Sequence, residues 1–193
     1  MLNIYVNEKI TLHLIERRHI DSLHKLYVES QHAIEKWIPA VEKIVNNKSL
    51  LNKLIDQWLD VFVKGEGLYL AIQYKNKMSG IVSLDIDKFN RSGSIGLWLH
   101  PDCMGKKVAL LSACKMIDTG FSEYNLNRIG AETAIENRKV SLALEKLNFR
   151  KEGIKRAGCY INNTAQDLIL YGMLKEDWKK NKIDFIELNA AMI

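Results

Sequence analysis

The stretch SIGLWLHPDCMGKKVALLSACKMIDTGF, residues 94–121, carries the pattern from which the fold of this chain is predicted. It opens as a strand, with Ile95, Leu97 and Leu99 on one face and Trp98 on the other. Pro101 then ends the ladder, because proline has no N–H to donate. After a short basic loop, apolar residues at intervals of four, three and four form one helical stripe: Leu110, Cys114, Ile117 and Phe121. The sequence therefore predicts a strand, a loop and an amphipathic helix.

The loop between this strand and helix is a candidate anion site. A strand that enters a helix through such a loop directs several unpaired N–H groups at one point, and that point suits phosphate. Lys106 and Lys107 add positive charge there. The same pattern leaves open an ordinary strand-to-helix turn with two solvated lysines.

A second strand and helix follow directly. Asn127–Glu136 reads as a strand, and the next helix begins at Asn137 and continues to Leu147. Asparagine is a favoured N-cap. Ser141 lies four residues later, on the same side of the helix and one turn further on.

Two motifs in these stretches resemble the GCN5-related N-acetyltransferases, the GNAT superfamily. They are HPDCMGKKVA, residues 100–109, and the pattern N-x-x-x-S…L-x-F-x-x-E-G, from Asn137 to Gly153. Within the superfamily the chain looks like the Rim-type branch, which acetylates α-amino groups of ribosomal proteins. The resemblance extends from Leu12 to Trp178 and includes a Trp37-Ile38-Pro39 element.

The loop departs from the usual Q-G-x-G-x-A/G pattern of the family. Met104 stands for the glutamine and Lys107 for the second glycine, whereas Gly105 and Ala109 match. The pattern from Asn137 through Ser141 to Gly153 is the stronger match.

The resemblance implies acetyl-CoA as co-substrate and assigns it a site. Its pyrophosphate would lie on the N–H groups of Met104–Val108, and its pantetheine arm would contact Asn137 and strand backbone that has no ladder partner. The implied cofactor-binding residues are Leu97, Trp98, Leu99, Met104, Gly105, Lys106, Lys107, Val108, Ala109 and Asn137.

The resemblance also implies that Ser141 protonates the departing thiolate of coenzyme A. The alternative for Ser141 is a first-turn serine that supports the Asn137 cap. Relatives can carry a glutamate as general base seven residues after the glutamate of the E-G pair, but here that position is Cys159. Glu35, near Trp37, is the substitute base, because we expect it beside the acceptor groove.

Composition restricts the remaining possibilities. A chain of 193 residues with 47% hydrophobic residues is expected to form one domain with a sizeable core. The net charge of +5 suits an anionic cofactor and is too small to indicate nucleic acid. Three cysteines without metal spacing favour free thiols in a cytoplasmic protein, and the five histidines show no ligand spacing, so no metal is expected. No secretory signal and no membrane span are predicted.

The other predicted elements surround this core. They are a first strand at 10–15, a helix at 18–30, an irregular stretch at 30–45, a helix at 50–63, a hairpin of strands 68–74 and 78–85 around Asn76-Lys77, and closing strands at 152–161 and 167–174. Residues 179–193 form a tail after a domain of residues 1–178. A homodimer is left open.

These elements predict an α/β (α+β) domain, and the resemblance implies that it is of the GNAT type. Its sheet is mixed but mostly antiparallel, has helices on both faces, and places strands 94–99 and 127–135 side by side in parallel. The resemblance implies that this pair diverges at its C-terminal ends. The expected function is transfer of acetyl from acetyl-CoA to a primary amine, by direct attack in a ternary complex.

The identity of that amine is the main open question. An α-amine has a reference pKa of about 7.7–8.0, so roughly a third is neutral at about pH 7.5, whereas lysine at about 10.4 is almost fully charged. An enzyme without an obvious base therefore favours a protein N-terminal amine, as in ribosomal proteins. Two alternatives stay open: a small-molecule acetyltransferase acting on an antibiotic, a polyamine or an amino-acid derivative, and a non-catalytic protein that binds acetyl-CoA.

Overall fold

A single sheet with helices on both faces forms the domain. The computed structural model describes residues 2–161 and 163–180. The strands are β1 Asn3–Asn7, β2 Ile10–Leu14, β3 Gly67–Tyr74, β4 Lys77–Asp87, β5 Ser92–Leu99, β6 Arg128–Ala134, β7 Arg150–Ile161 and β8 Thr164–Leu174. The helices are α1 Ile20–Ile34, α2 Val41–Asn46, α3 Lys48–Val63, α4 Val108–Ser122 and α5 Arg138–Lys146, with 3₁₀ turns at Arg17–His19 and Pro101–Cys103. Residues 175–180, at the end of the described chain, are also helical.

The strand order is β1-β2-β3-β4-β5-β6-β8-β7. Neighbouring strands are antiparallel except β5 and β6, which are parallel from Ser92↔Arg128 to Ser94↔Gly130. Their pairing stops there, although β5 continues to Leu99 and β6 to Ala134. The predicted parallel pair and its divergence are confirmed.

The core has a layer on each face of the sheet. The stripe of α4 packs on one face against β5 residues such as Leu99 and against Phe149 and Tyr171. On the other face, helices α1, α2 and α3 bury Leu23, Val41 and Leu51 over β3 and β4, with Trp98 at the edge of this layer. The alternation of Leu97, Trp98 and Leu99 thus sends successive side chains of β5 to opposite layers.

Three expectations about the N-terminal half were wrong. Residues 30–45 are not irregular, because α1 continues to the buried Ile34 and α2 follows Pro39. A strand, β1, precedes the predicted first strand and pairs with it in a hairpin. The β3–β4 turn is centred on Lys75 and Asn76, with φ of 51° and 63°, so Lys77 already belongs to β4.

The C-terminal end of the described chain is anchored to α4. Trp178 is only 4% exposed, and its Nε1–H donates to Asp118 Oδ1 at 3.2 Å. The domain boundary at residue 178 stays a prediction, and the predicted tail lies mostly outside the described residues. Within the described ranges, no helix has the length and apolar character to span a bilayer.

Candidate active site

The split between β5 and β6 is the centre of the candidate site. Beyond Ser94, β5 pairs only with β4, and beyond Gly130, β6 pairs only with β8. Backbone amides and carbonyls of Leu97, Trp98 and Leu99 that face β6 therefore have no ladder partner on that side. Such groups are open to a ligand that brings its own amides.

The loop after β5 presents a run of unpaired N–H groups. Gly105 and Lys107 both have left-handed backbone, with φ of 74° and 58°, and the start of α4 has no side-chain cap. In the described part of the chain, the N–H groups from Gly105 to Leu110 find no acceptor, while that of Leu111 donates to Lys107 O at 3.0 Å. Alternating right- and left-handed residues at a helix N-terminus form a cradle for an anion.

This arrangement corrects one detail of the predicted loop. The N–H of Met104 donates to Pro101 O at 3.0 Å within the 3₁₀ turn, so it is not available to a phosphate. The run of available amides begins one residue later, at Gly105. Lys106 and Lys107 are exposed, Val108 is buried in the core, and Ala109 is half-buried beside it.

Asn137 and Ser141 lie together at the start of α5. The Asn137 side-chain oxygen accepts the Val140 N–H at 3.4 Å, which confirms the predicted cap. Its amide nitrogen has no acceptor among the described residues. One turn later, the buried Ser141 hydroxyl is likewise without a hydrogen-bond partner within residues 2–161 and 163–180. Buried polar groups are normally satisfied, so the Ser141 hydroxyl, one turn from the unpaired amide nitrogen of Asn137, indicates a place for a polar ligand.

Glu35 lies at the C-terminal end of α1, outside the cavity described below. Its carboxylate is 3.5 Å from His32 Nδ1. The next residue, Lys36, is 3.0 Å from Glu136, which immediately precedes Asn137, and its Nζ lies 4.6 Å from the Trp37 ring centre. The structure thus brings the Trp37 element and the start of α5 together.

A cavity of about 230 Å³ opens on the sheet face away from α4. Gly96 and Leu97, just beyond the split, form part of its wall. Its aromatic walls come from four separate elements: Tyr27 of α1, Trp58 of α3, Tyr69 of β3 and Trp98 of β5. The sequence predicted the helices at 18–30 and 50–63 that carry Tyr27 and Trp58, but no local pattern indicated that these rings meet.

The aromatic rings of the cavity hold one another in place. Trp58 stacks on Tyr69 with centroids 5.0 Å apart, and Tyr27 lies 5.0 Å from Trp98 at a tilt of 43°. The Tyr69 hydroxyl donates to Asp85 Oδ1 at 2.5 Å. Burial raises the pKa of Tyr27, and burial together with Asp85 raises the pKa of Tyr69. Both phenols are therefore neutral at physiological pH and cannot act as phenolate bases.

Two further carboxylates lie near the split that the sequence did not single out. Glu132 lies two residues beyond Gly130, the last β6 residue paired with β5; it points away from α4 and is 3.6 Å from Lys155. Glu136 is the partner of Lys36. The sequence did not indicate that these two carboxylates lie near the split, because the sequence does not show where the β5–β6 pairing ends.

The glutamate of the E-G motif has a structural partner. Arg128 of β6 and Glu152 of β7 form a bidentate ion pair across β8, over the bare Cα of Gly172. The Arg128 hydrogen bonds lower the pKa of Glu152. Cys159, at the position of the expected base, is half-buried with its Sγ 3.9 Å from Gln166 O.

Cys103, Cys114 and Cys159 are free thiols. Cys114 lies in the core stripe, as expected, and burial raises its pKa to about 12, so it is unreactive. The described residues hold no group of three or more His, Cys, Asp or Glu side chains that could bind a metal ion.

Comparison with known proteins places this geometry among acetyltransferases. A family model described as "Acetyltransferase (GNAT) domain" matches residues 9–150. The chain is similar to the "Putative ribosomal N-acetyltransferase YdaF" of Bacillus subtilis (strain 168), with 30% identity over 183 residues, which cover 94% of this chain and 100% of that protein. It is also similar to the spermidine N(1)-acetyltransferase of Vibrio cholerae, with 25% identity over 165 residues, covering 84% of this chain and 91% of that protein.

A solved structure has the same fold. The ribosomal-protein-S5-alanine acetyltransferase from Vibrio fischeri superposes with a TM-score of 0.84 at 25% identity, over 92% of this chain and 99% of that chain.

Proposed function

Because the chain belongs to the GNAT family and is an acetyl-CoA-dependent N-acetyltransferase, we propose that its acceptor is the N-terminal α-amine of a protein of the ribosomal type. The split between β5 and β6 is the observation that carries this proposal. The unpaired amides that follow Met104 lie at one end of this split, and the aromatic cavity at Gly96 and Leu97 lies beside it. A thioester held by the amides would meet an amine arriving from the cavity.

Different groups at the split bind different parts of acetyl-CoA. The N–H groups from Gly105 to Leu110 hold the pyrophosphate, with Lys106 and Lys107 adding charge. The unpaired backbone of Leu97–Leu99 and the amide nitrogen of Asn137 hold the pantetheine arm. When bound, acetyl-CoA supplies the activated acetyl group.

Ser141 supplies the proton for the leaving group. Its hydroxyl is buried and unsatisfied within the described chain, and it lies one turn from Asn137. As the acceptor nitrogen bonds to the acetyl carbon and the carbon–sulfur bond breaks, Ser141 donates its proton to the departing thiolate. The amine loses a proton to water or to a carboxylate, and the Ser141 oxygen takes a proton back from water, so the side chain returns to its starting state and the protons balance.

The base for the amine is the least determined role. Glu35 stays our prediction from the sequence, and Glu132 and Glu136 are carboxylates that lie closer in the chain to the split. An α-amine is largely able to attack without help near neutral pH, because its reference pKa is about 7.7–8.0. We therefore expect Glu35→Gln to lower turnover by less than the general-base range of about 10²–10⁴-fold.

One experiment tests the class of acceptor. Thiol release from acetyl-CoA is measured with a peptide bearing a free α-amine and no lysine, with the same peptide Nα-blocked and bearing one lysine, and with spermidine. We expect turnover with the first peptide, and a kcat/KM that rises with pH and levels off near about 8, where the α-amine becomes neutral. A rate that depends on lysine and still rises above about pH 9 would contradict the proposal.

A polyamine is the second candidate acceptor. The spermidine acetyltransferase relative covers most of the chain, which is the observation in its favour. Turnover of spermidine alone in the same panel would establish it. Failure of acetyl-CoA to bind by isothermal titration at millimolar concentration would instead remove the cofactor assignment itself.

A further inference from the structure

The cavity beside the split has a chemical character that restricts its occupant. Among the described residues that line it, none carries a charge, and Ser83 supplies the one hydroxyl besides the two tyrosines. The rest of the surface is aromatic or aliphatic, with Ile38 and Ile81 beside the rings. A charged group placed there would lose its water without gaining a partner, which is strongly unfavourable.

The cavity is formed before any ligand arrives. Trp58 and Tyr69 lie parallel, at 9°, and leave no gap between them for another ring. The Tyr69 hydroxyl donates a hydrogen bond to Asp85, and the Tyr27 ring packs against the Trp98 ring. A preformed apolar cavity does not have to be ordered on binding, so burial of an apolar group there contributes directly to affinity.

The size of the cavity matches a large side chain. Its volume is about 230 Å³. An apolar cavity of about 150 Å³ already binds benzene. A leucine or phenylalanine side chain therefore fits, whereas an alanine or serine side chain would leave most of the space empty.

The position of the cavity fixes which part of the acceptor enters it. Gly96, Leu97 and Trp98 belong both to its wall and to the part of β5 that has lost β6. The reacting amine must come to this same backbone. The group in the cavity is therefore attached within a few bonds of the amine, as the side chain of an N-terminal residue is.

We propose that this enzyme selects protein N-termini whose first residue has a large apolar side chain, of leucine or phenylalanine size, and that the cavity of Tyr27, Trp58, Tyr69 and Trp98 is the selecting site. The proposal rests on the proposed function, because it assumes that the acceptor is an α-amine. It further specifies the size and apolar character of the side chain on the residue that carries that amine.

Gly96 offers a way to close the cavity. A Cβ at this position would come within 2.8 Å of Ser83 Oγ, a hydroxyl that can rotate away, so Gly96→Ala places a methyl group in the cavity at little cost to the strand. Gly130→Ala is the matched control, because it adds a methyl group to the neighbouring strand, outside the cavity, where the nearest atom is 3.5 Å away. Acetyl-CoA titration of both variants verifies that each is folded.

The test uses peptides that differ only in the first residue, which is Leu, Phe, Ala, Ser, Lys or Glu. We expect kcat/KM for the Leu or Phe peptide to exceed that for Ser, Lys or Glu by about 10-fold or more, the scale of burying one large apolar side chain. Gly96→Ala should lower the rate for Leu and Phe and spare Ala, whereas Gly130→Ala should keep the parental order. Affinity of each peptide for the enzyme saturated with coenzyme A, which cannot react, gives the same order without turnover.

The outcomes separate the two proposals. Thiol release with all peptides at similar rates, or a preference for Lys, overturns the apolar selection and leaves N-terminal acetylation standing. Thiol release with spermidine alone overturns the proposed acceptor. If no acceptor is turned over, the affinities in the coenzyme A complex decide, and equal affinities for Leu, Ser and Lys peptides overturn the selecting site.

Discussion

At the scale of single residues, the Ser141 hydroxyl makes the most specific prediction. It is buried, unsatisfied in the described chain, and one helical turn from Asn137. If it protonates the thiolate, Ser141→Ala lowers turnover by about 10²–10⁴-fold, the usual range for a positioned acid. We expect the low end, because a thiol has a pKa near about 8.5 and its thiolate can depart unaided. The loss should diminish at high pH, and acetyl-CoA affinity should barely change.

Ser112 provides the control for this experiment. Its hydroxyl on α4 is also buried and without a partner in the described residues, but it belongs to the core rather than to the split. Ser112→Ala should leave turnover at the parental level. A Ser141→Ala enzyme that stays within about threefold of the parent, far below the general-acid range, would show that Ser141 only supports the helix.

Asn137 combines a structural and a binding role that can be separated. Asn137→Ala removes a helix cap, at a cost of about 0.5–2 kcal/mol of stability, and also removes the free amide that we assign to the pantetheine arm. Asn47 caps α3 in the same way, accepting the Ser49 N–H at 3.0 Å, and is far from the split in sequence. Thermal melts with and without acetyl-CoA should show a reduced ligand-induced shift in Asn137→Ala and a full shift in Asn47→Ala. Equal shifts in both variants would exclude the contact.

At the scale of elements, the ion pair across β8 ties three strands together. A Cβ at residue 172 would overlap both the Arg128 guanidinium and the Glu152 carboxylate. Gly172→Ala should therefore destabilise the protein by about 1 kcal/mol, the usual size for a mutation that displaces packed groups. With Arg128 and Glu152 both changed to Ala the obstruction is gone, and the same substitution should stabilise by about 0.5–1 kcal/mol, because glycine is unfavourable inside a strand. Urea denaturation of the four proteins measures this change of sign, and an equal effect in both backgrounds would contradict it.

The same ion pair predicts a dependence of stability on pH. Arg128 lowers the pKa of Glu152 in the folded state below its unfolded value of about 4.3. The pair's contribution is therefore complete above that unfolded value and disappears as the pH falls through the folded one. The difference in Tm between the parent and Glu152→Gln should be small, since both side chains are partly exposed, and should vanish in acid. A difference that grows as the pH falls would reverse the assignment.

At the scale of the whole molecule, the domain boundary at residue 178 is still a prediction. Trp178 is buried against α4 and bonded to Asp118. Trp178→Ala should cost about 3–5 kcal/mol, as expected for a buried tryptophan. A chain shortened to end at Lys180 should keep the parental Tm and thiol-release rate. Loss of stability in the shortened chain would move the boundary further towards the C-terminus.

Elements whose side chains repeat with a regular period could be predicted from the amino-acid sequence. The stripe of α4, the two-faced alternation of β5, and the cap at Asn137 were all predicted, because burial on one face imposes a period that is visible within a few residues. The family resemblance added the divergence of β5 and β6. The periodicity of the sequence did not predict β1 and α2. Both are short, and packing against β2 and α3 stabilises them.

Three features depend on how distant parts of the chain pack: where the parallel pairing ends, which amides of the loop are available, and which side chains surround the proposed acceptor site. The β5–β6 pairing stops at Ser94 and Gly130, and the Met104 N–H is unavailable to a ligand because it already donates to Pro101 O. The rings of Tyr27, Trp58, Tyr69 and Trp98 come from positions up to 71 residues apart in the chain, from 27 to 98. They meet because α1 and α3 pack over β3 and β5 on one face of the sheet. No local pattern encodes such a meeting, since the packing of distant elements chooses which inward-facing side chains become neighbours.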